Sequence, residues 1–89
     1  MNKADLVHAI ANDSGVTNKV AEQMLNSFLA SVMKSVADGQ KVSLVGFGSF
    51  HSIVRKARPG RNPATGAKIH IPEKTVPRFT PGKEFREML

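Results

Sequence analysis

The chain has 89 residues, no cysteine, tryptophan or tyrosine, and a net charge of +6 from 13 Lys and Arg against 7 Asp and Glu. That length suits one domain with a small core, and without cysteine neither a disulfide framework nor a thiolate metal site can supplement it. No apolar run approaches the ~18 to 20 residues of a membrane span, and Met1-Asn2-Lys3-Ala4-Asp5 opens without an apolar signal stretch, so a soluble intracellular protein is expected.

Asn2 followed by Asp5 predicts a helix entry, with Asn2 as N-cap and the Asp5 carboxylate in the electropositive first turn. Leu6, Val7 and Ile10 form a one-sided apolar stripe ending around Asn12, and Asp13-Ser14-Gly15 follows as turn chemistry with Asp13 as a capping residue. A second helix is predicted from an N-cap at Thr17 to a stop at Asp38-Gly39. It carries Ala21, Leu25, Phe28, Leu29, Val32 and Val36 at helical spacing, with Met24 and Met33 widening the stripe. So broad an apolar face exceeds what a short neighbouring helix can cover. A subunit interface is therefore expected, and the small core independently argues for oligomerisation.

After Gly39 the apolar period changes from 3.6 to 2. Val42 and Leu44 alternate with Lys41 and Ser43, and Val45-Gly46-Phe47-Gly48-Ser49-Phe50 reads as a tight turn between strands, with both aromatics in the core. Ile53 and Val54 are expected to begin a strand that runs into an arginine-rich block. On the returning strand Ile69 and Ile71 share one face, and Lys68 and His70 the other. Thr75 to Phe79 reads as a last strand, at a sheet edge because Pro77 has no N–H to donate. Pro81-Gly82 breaks the chain before a C-terminal helix predicted over residues 83–89.

The charge is concentrated in one stretch. From His51 to Lys83 there are eight basic residues, Arg55, Lys56, Arg58, Arg61, Lys68, Lys74, Arg78 and Lys83, against one acid, Glu73, whereas the first fifty residues are neutral. Crowding like charges costs self-repulsion in the free protein, and a polyanion that releases counterions on binding is the usual reason to bear it. From Arg55 to Lys68 the only aliphatic side chains are alanines, so this arm cannot fold by burying itself. Its tip, Gly60-Arg61-Asn62-Pro63-Ala64-Thr65-Gly66, reads as a turn: Pro63 fixes φ, Asn62 is held extended before it, and Gly66 supplies free dihedrals. An exposed proline ring at the end of a cationic ribbon suits a DNA groove, where arginines read the negative minor groove and a wedge parts a base step.

Met1-Asn2-Lys3, Val45 to Phe50, Gly60 to Gly66, Val76-Pro77-Arg78-Phe79 and Gly82-Lys83 together resemble the bacterial histone-like DNA-binding proteins, HU and integration host factor, over the whole chain. This family is among the minor-groove bending proteins from which the wedge mechanism is generalised. The resemblance implies an α+β fold and an intertwined dimer. A helical dimerisation base (residues 1–39) would support an antiparallel saddle and arm (40–82, arm about 53–76), with the C-terminal helix following, all as one domain over 1–89.

The resemblance also implies roles. Pro63 is the intercalating wedge, with Arg61 and Asn62 beside it in the minor groove and Arg55, Arg58 and Lys68 along the arm. Lys83 and Arg86 meet phosphates on the flanks, joined by Lys3, Lys74 and Arg78, while Gly46 and Gly48 let the backbone come close to DNA. Ile53 and Thr80 stand where some relatives carry a basic residue. The implied partner is double-stranded DNA, with a preference for bent, nicked or junction forms. The implied assembly is a homodimer, or a heterodimer with a paralogue, in the cytoplasm at the nucleoid and without a cofactor. Length favours HU-type binding with little sequence preference. Arg58-Pro59-Gly60 and Phe79 to Lys83 have something of the sequence-preferring integration-host-factor type, which is the alternative.

Other classes fit less well. An enzyme would need a nucleophile, a phosphate loop or paired ligands, and His8, His51 and His70 are scattered. A helix-turn-helix across Asp13 to Thr17 would need a basic second helix, yet that helix has only Lys19 and Lys34 against Glu22. RNA recognition would call for stacking aromatics in the arm, and Phe28, Phe47, Phe50, Phe79 and Phe85 all lie outside it.

Overall fold

In a computed structural model that describes residues 1–89, helix α1 (Lys3–Ser14) begins with a full capping box. The Asp5 N–H donates to Asn2 Oδ1 at 2.9 Å and the Asn2 N–H to Asp5 Oδ2 at 3.1 Å, so Asp5 closes a reciprocal bond as well as facing the helix dipole. The helix runs two residues past Asn12 and ends at Gly15, which takes the left-handed conformation (φ 67°) while Val16 N–H reaches back to Ala11 O. Asp13 therefore lies inside the last turn and caps nothing. Backbone closure at Gly15 ends the helix, and the polar Asn12 stays on it with Nδ2 3.3 Å from His8 Nε2.

Helix α2 (Asn18–Ala37) opens where expected, with Val20 N–H donating to Thr17 Oγ1 at 3.2 Å. Val7 and Ala11 of α1 pack with Ala21 and Leu25 of α2, and Ile10 and Val16 lie against them. Ala21 is fully enclosed, which holds the two helices close. This small core leaves most of α2's stripe open: Val20, Met24, Phe28, Leu29 and Met33 are exposed in the chain, Met33 at 66%.

The chain divides into two compact units, Met1–Lys34 and Ser35–Leu89. The second contains β1 (Val42–Leu44), β2 (Gly48–Arg55), β3 (Arg58–Arg61), β4 (Lys68–Ile71), β5 (Lys74–Pro81) and helix α3 (Lys83–Glu87). Strands β1, β2 and β5 form an antiparallel sheet in that order, and β3 and β4 form a separate ribbon. Strand β5 is thus an edge, as Pro77 required. Strand β2 starts at Gly48 rather than Ile53, because its early residues pair on both sides, Phe50 with Val42 and with Phe79. Phe47, Phe50, Phe79 and Phe85 cluster with ring centroids 4.9 to 6.3 Å apart; Phe50, Phe79 and Phe85 are half-buried, whereas Phe47, expected in the core, is 44% exposed because it lies in the turn before β2. Helix α3 is two residues shorter than expected. Met88 and Leu89 N–H bond to Phe85 and Arg86 carbonyls three residues back, the tightened ending of a helix with no further turn. The architecture is α+β.

Candidate nucleic-acid interface

The β2–β5 register sorts side chains by face. Phe50 opposes Phe79 on the aromatic side; on the other side Ser49 opposes Thr80, His51 opposes Arg78, Ile53 opposes Val76 and Arg55 opposes Lys74. Arg55, Lys74 and Arg78 therefore share the face turned away from the phenylalanines, and all three are exposed. Ile53 and Val76 form an apolar rung between them, and His51 Nδ1 is buried there without a hydrogen-bond partner.

Beyond Arg55 the ribbon is held by backbone. Arg58 opposes Ile71, Pro59 opposes His70, Gly60 opposes Ile69 and Arg61 opposes Lys68. The Asn62 N–H donates to Ala67 O at 2.8 Å, and alternation along the ladder then leaves Pro59 at a non-hydrogen-bonded rung, its nitrogen facing outward where no donor is needed. Arg61 and Lys68 occupy another such rung, where side chains come closest. Two like charges opposite each other destabilise a free ribbon.

Gly60 and Arg61 are in a strand, not in the turn that their composition suggested. The reason is packing: a Cβ on Gly60 would lie 2.7 Å from Ile71 Cδ1 and 3.5 Å from Ile69 Cγ1, so the bare glycine makes room for both isoleucines. The turn proper runs from Asn62 to Ala67. Gly66 N–H donates to Asn62 O (2.7 Å), Ala64 N–H to Asn62 Oδ1 (2.9 Å) and Ala67 N–H to Thr65 Oγ1 (3.3 Å), with Gly66 at φ 72°. Asn62 therefore spends its carbonyl oxygen inside the loop and keeps its amide nitrogen free. Pro63 projects exposed immediately beyond the Arg61–Lys68 rung.

At the sheet's other end, Gly82 N–H donates to Phe47 O at 2.8 Å and Phe85 stacks on Phe47 (5.6 Å, 9°), fixing α3 against the turn 45–47. Gly46 (φ 85°) sits in that turn with Glu84 beside it, and Val45 is fully exposed at its apex. Gly48 has a reason internal to the fold: a Cβ there would lie 2.5 Å from Thr80 O and 2.7 Å from the Phe79 ring. Lys83 Nζ is 3.8 Å from Glu87 Oε1, the only ion pair in the chain, so every cation of the arm is uncompensated.

The second unit thus brings together Arg55, Lys74 and Arg78 on one sheet face, Arg58, Arg61, Asn62, Pro63 and Lys68 on the ribbon, and Gly46, Gly48, Lys83 and Arg86 around the turn and α3. Lys3 belongs to the helical unit, where it lines a shallow hollow with Ala4, Val7, Asn18 and Glu22. Gly60 and Glu84 were not anticipated as site residues. Composition hid the first inside a turn motif, and the second acquires meaning only from its place beside Gly46.

Known proteins resemble the chain over its whole length. The family model described as bacterial DNA-binding protein matches residues 1–89. The chain is 52% identical over 87 residues to the DNA-binding protein HU of Nostoc sp., spanning 98% of this chain and 93% of that protein. It is 48% identical to DNA-binding protein HU of Clostridium pasteurianum over 98% of this chain and 96% of the relative. An Anabaena HU–DNA cocrystal structure superposes with a TM-score of 0.95 at 51% identity, covering 99% of this chain and 96% of that one. On these grounds the chain belongs to the bacterial DNA-binding protein family of HU, whose members are DNA-binding proteins and not enzymes.

Proposed function

We propose that the protein is an architectural DNA-binding protein that acts as a dimer, grips the minor groove with its two arms and bends the duplex by inserting Pro63. One observation carries the reading: the exposed Pro63 stands at the end of a ribbon whose last rung pairs Arg61 with Lys68 and whose cations have no acid partner. A polyanion relieves that repulsion, and an apolar ring at that place suits a base step. The names of the HU relatives and the DNA in the Anabaena cocrystal support the partner class.

In this reading Arg61 and the free amide of Asn62 flank the wedge, and Arg58 and Lys68 line the arm. Arg55, Lys74 and Arg78 meet the backbone at the sheet, with Lys83, Arg86 and Lys3 towards the ends of the site. Gly46 and Gly48 keep the turn low enough for a phosphate to approach. The open stripe of Val20, Met24, Phe28, Leu29 and Met33 is the dimer surface, making residues 1–89 one functional unit of an intertwined pair at the nucleoid in the cytoplasm.

The test is a gel-shift series on linear, nicked, four-way-junction and integration-host-factor consensus DNA at two salt concentrations. Similar affinity for all linear duplexes with a gain on nicked and junction DNA is expected, because pre-weakened stacking lowers the cost of the kink. Preference for the consensus duplex would instead indicate sequence-selective bending, and preference for single strands would overturn the reading.

A further inference from the structure

The arm and the turn beside α3 differ in how their charges are balanced, and the difference centres on Glu84. Its neighbours on both sides are pinned: Gly82 donates its N–H to Phe47 O at 2.8 Å, and the Phe85 ring stacks on Phe47 at 5.6 Å. The Glu84 backbone is thereby held over the turn 45–47. Its Oε2 comes within 2.7 Å of the position a Cβ on Gly46 would occupy, so the carboxylate covers the open side of that glycine. Yet this carboxylate makes neither a hydrogen bond nor an ion pair, and the residue is exposed. Held only by its backbone and by the first-turn dipole of α3, this charge has no side-chain partner to keep it from being displaced. One turn on, Glu87 partly neutralises Lys83.

We propose that Glu84 is a specificity-determining residue: it holds a negative charge over the Gly46 turn, so a DNA phosphate arriving there meets repulsion, whereas along the arm a single acid, Glu73, is outnumbered by cations. The inference rests on the DNA-binding reading above. Its consequence is that the protein discriminates by site length and shape. A short or already kinked site is gripped by the arms alone, whereas a longer duplex reaches the turn only by pushing Glu84 aside, and reaches Lys83 only by exchanging its partner Glu87 for a phosphate. Glu84 thus biases binding towards sites where the arms suffice.

The test compares the parent with Glu84→Gln, which keeps the shape and removes the charge, on a short duplex and on one longer by about two helical turns, roughly 20 base pairs. Asp13→Asn, in the helical unit, makes the same change of net charge and controls for long-range attraction. Glu84→Gln should tighten binding to the long duplex about three- to ten-fold, the effect of removing one like charge from contact range in water. The short duplex and Asp13→Asn should change little. Glu87→Gln should give a smaller gain, again on the long duplex only, because it frees Lys83. Thermal melting of each variant without DNA checks that the fold is intact, and Glu84→Asp, which retains charge, should behave as the parent if its melting is normal. Equal gains on both duplexes, an equal gain from Asp13→Asn, or no gain from Glu84→Gln would overturn the inference. Failure of the parent to bind either duplex would instead overturn the DNA-binding reading itself.

Discussion

The three-stranded sheet and the ribbon beyond it are made of the same kind of secondary structure, but different forces hold them. At the sheet, four phenylalanines pack on one face and Gly48 admits the Phe79 ring and the Thr80 carbonyl to within a side chain's breadth. In the ribbon there is no core beyond two isoleucines folded over Gly60; ladder bonds and the hydrogen bonds of the Asn62–Ala67 turn hold the shape. The sheet is therefore specified by packing and the ribbon by backbone chemistry. That leaves the ribbon's side chains free to be selected for binding. Substitutions in the first should cost stability, and those in the second should cost binding.

The sharpest way to break this contrast is Gly48→Ala. The new Cβ would meet backbone at 2.5 Å on a glycine with φ 155°, so a loss of roughly 2–4 kcal/mol is expected by urea denaturation. An alanine tolerated within experimental error would show that the sheet is not packing-limited. Next come Arg58→Ala and Arg61→Ala, which should leave the denaturation midpoint unchanged while lowering the salt slope of DNA binding by about 0.9 per contact removed on each arm. Destabilisation of the free protein by either would mean that these arginines serve the fold. Arg61→Ala has a further signature, because it relieves the like-charge rung with Lys68 and should slightly stabilise the isolated ribbon.

Pro63→Ala should change affinity for straight DNA little and reduce bending, read as end-to-end fluorescence transfer, together with the advantage of nicked sites. An unchanged bend would reduce the proline to a turn former. The smallest effect belongs to Asn62→Ala. Losing the bond to the Ala64 N–H should loosen the tip by about 1 kcal/mol, visible as faster amide exchange from residue 62 to 67 with the melting temperature unmoved.

Much of this was legible in the chain because it is governed by local rules. Asn2, Thr17 and Asp38-Gly39 delimit the helices through capping and backbone freedom, and the period change after Gly39 locates the sheet. The charge block marks the ribbon without any reference to structure. What escaped depends on contacts distant in sequence. Pro59-Gly60 has the composition of a turn, and only its pairing with His70 and Ile69 makes it strand. Gly48 resembles a flexible loop glycine until Phe79, thirty-one positions on, is seen against it. The strand start at Gly48 rather than Ile53 was likewise settled by its partners, whereas the helix end at Ser14 rather than Asn12 is set locally by the left-handed Gly15.

The outward nitrogen of Pro59 carries one more implication, for solubility. A two-stranded ribbon has two open edges, and such edges are templates for pairing with the same segment of another molecule. Here one edge is interrupted by a residue that cannot donate, and Arg58, Arg61 and Lys68 make any second ribbon an electrostatic stranger to the first. The arms can therefore stay extended at high protein concentration without zipping together. The charges that would draw in a polyanion also keep identical arms from recognising one another.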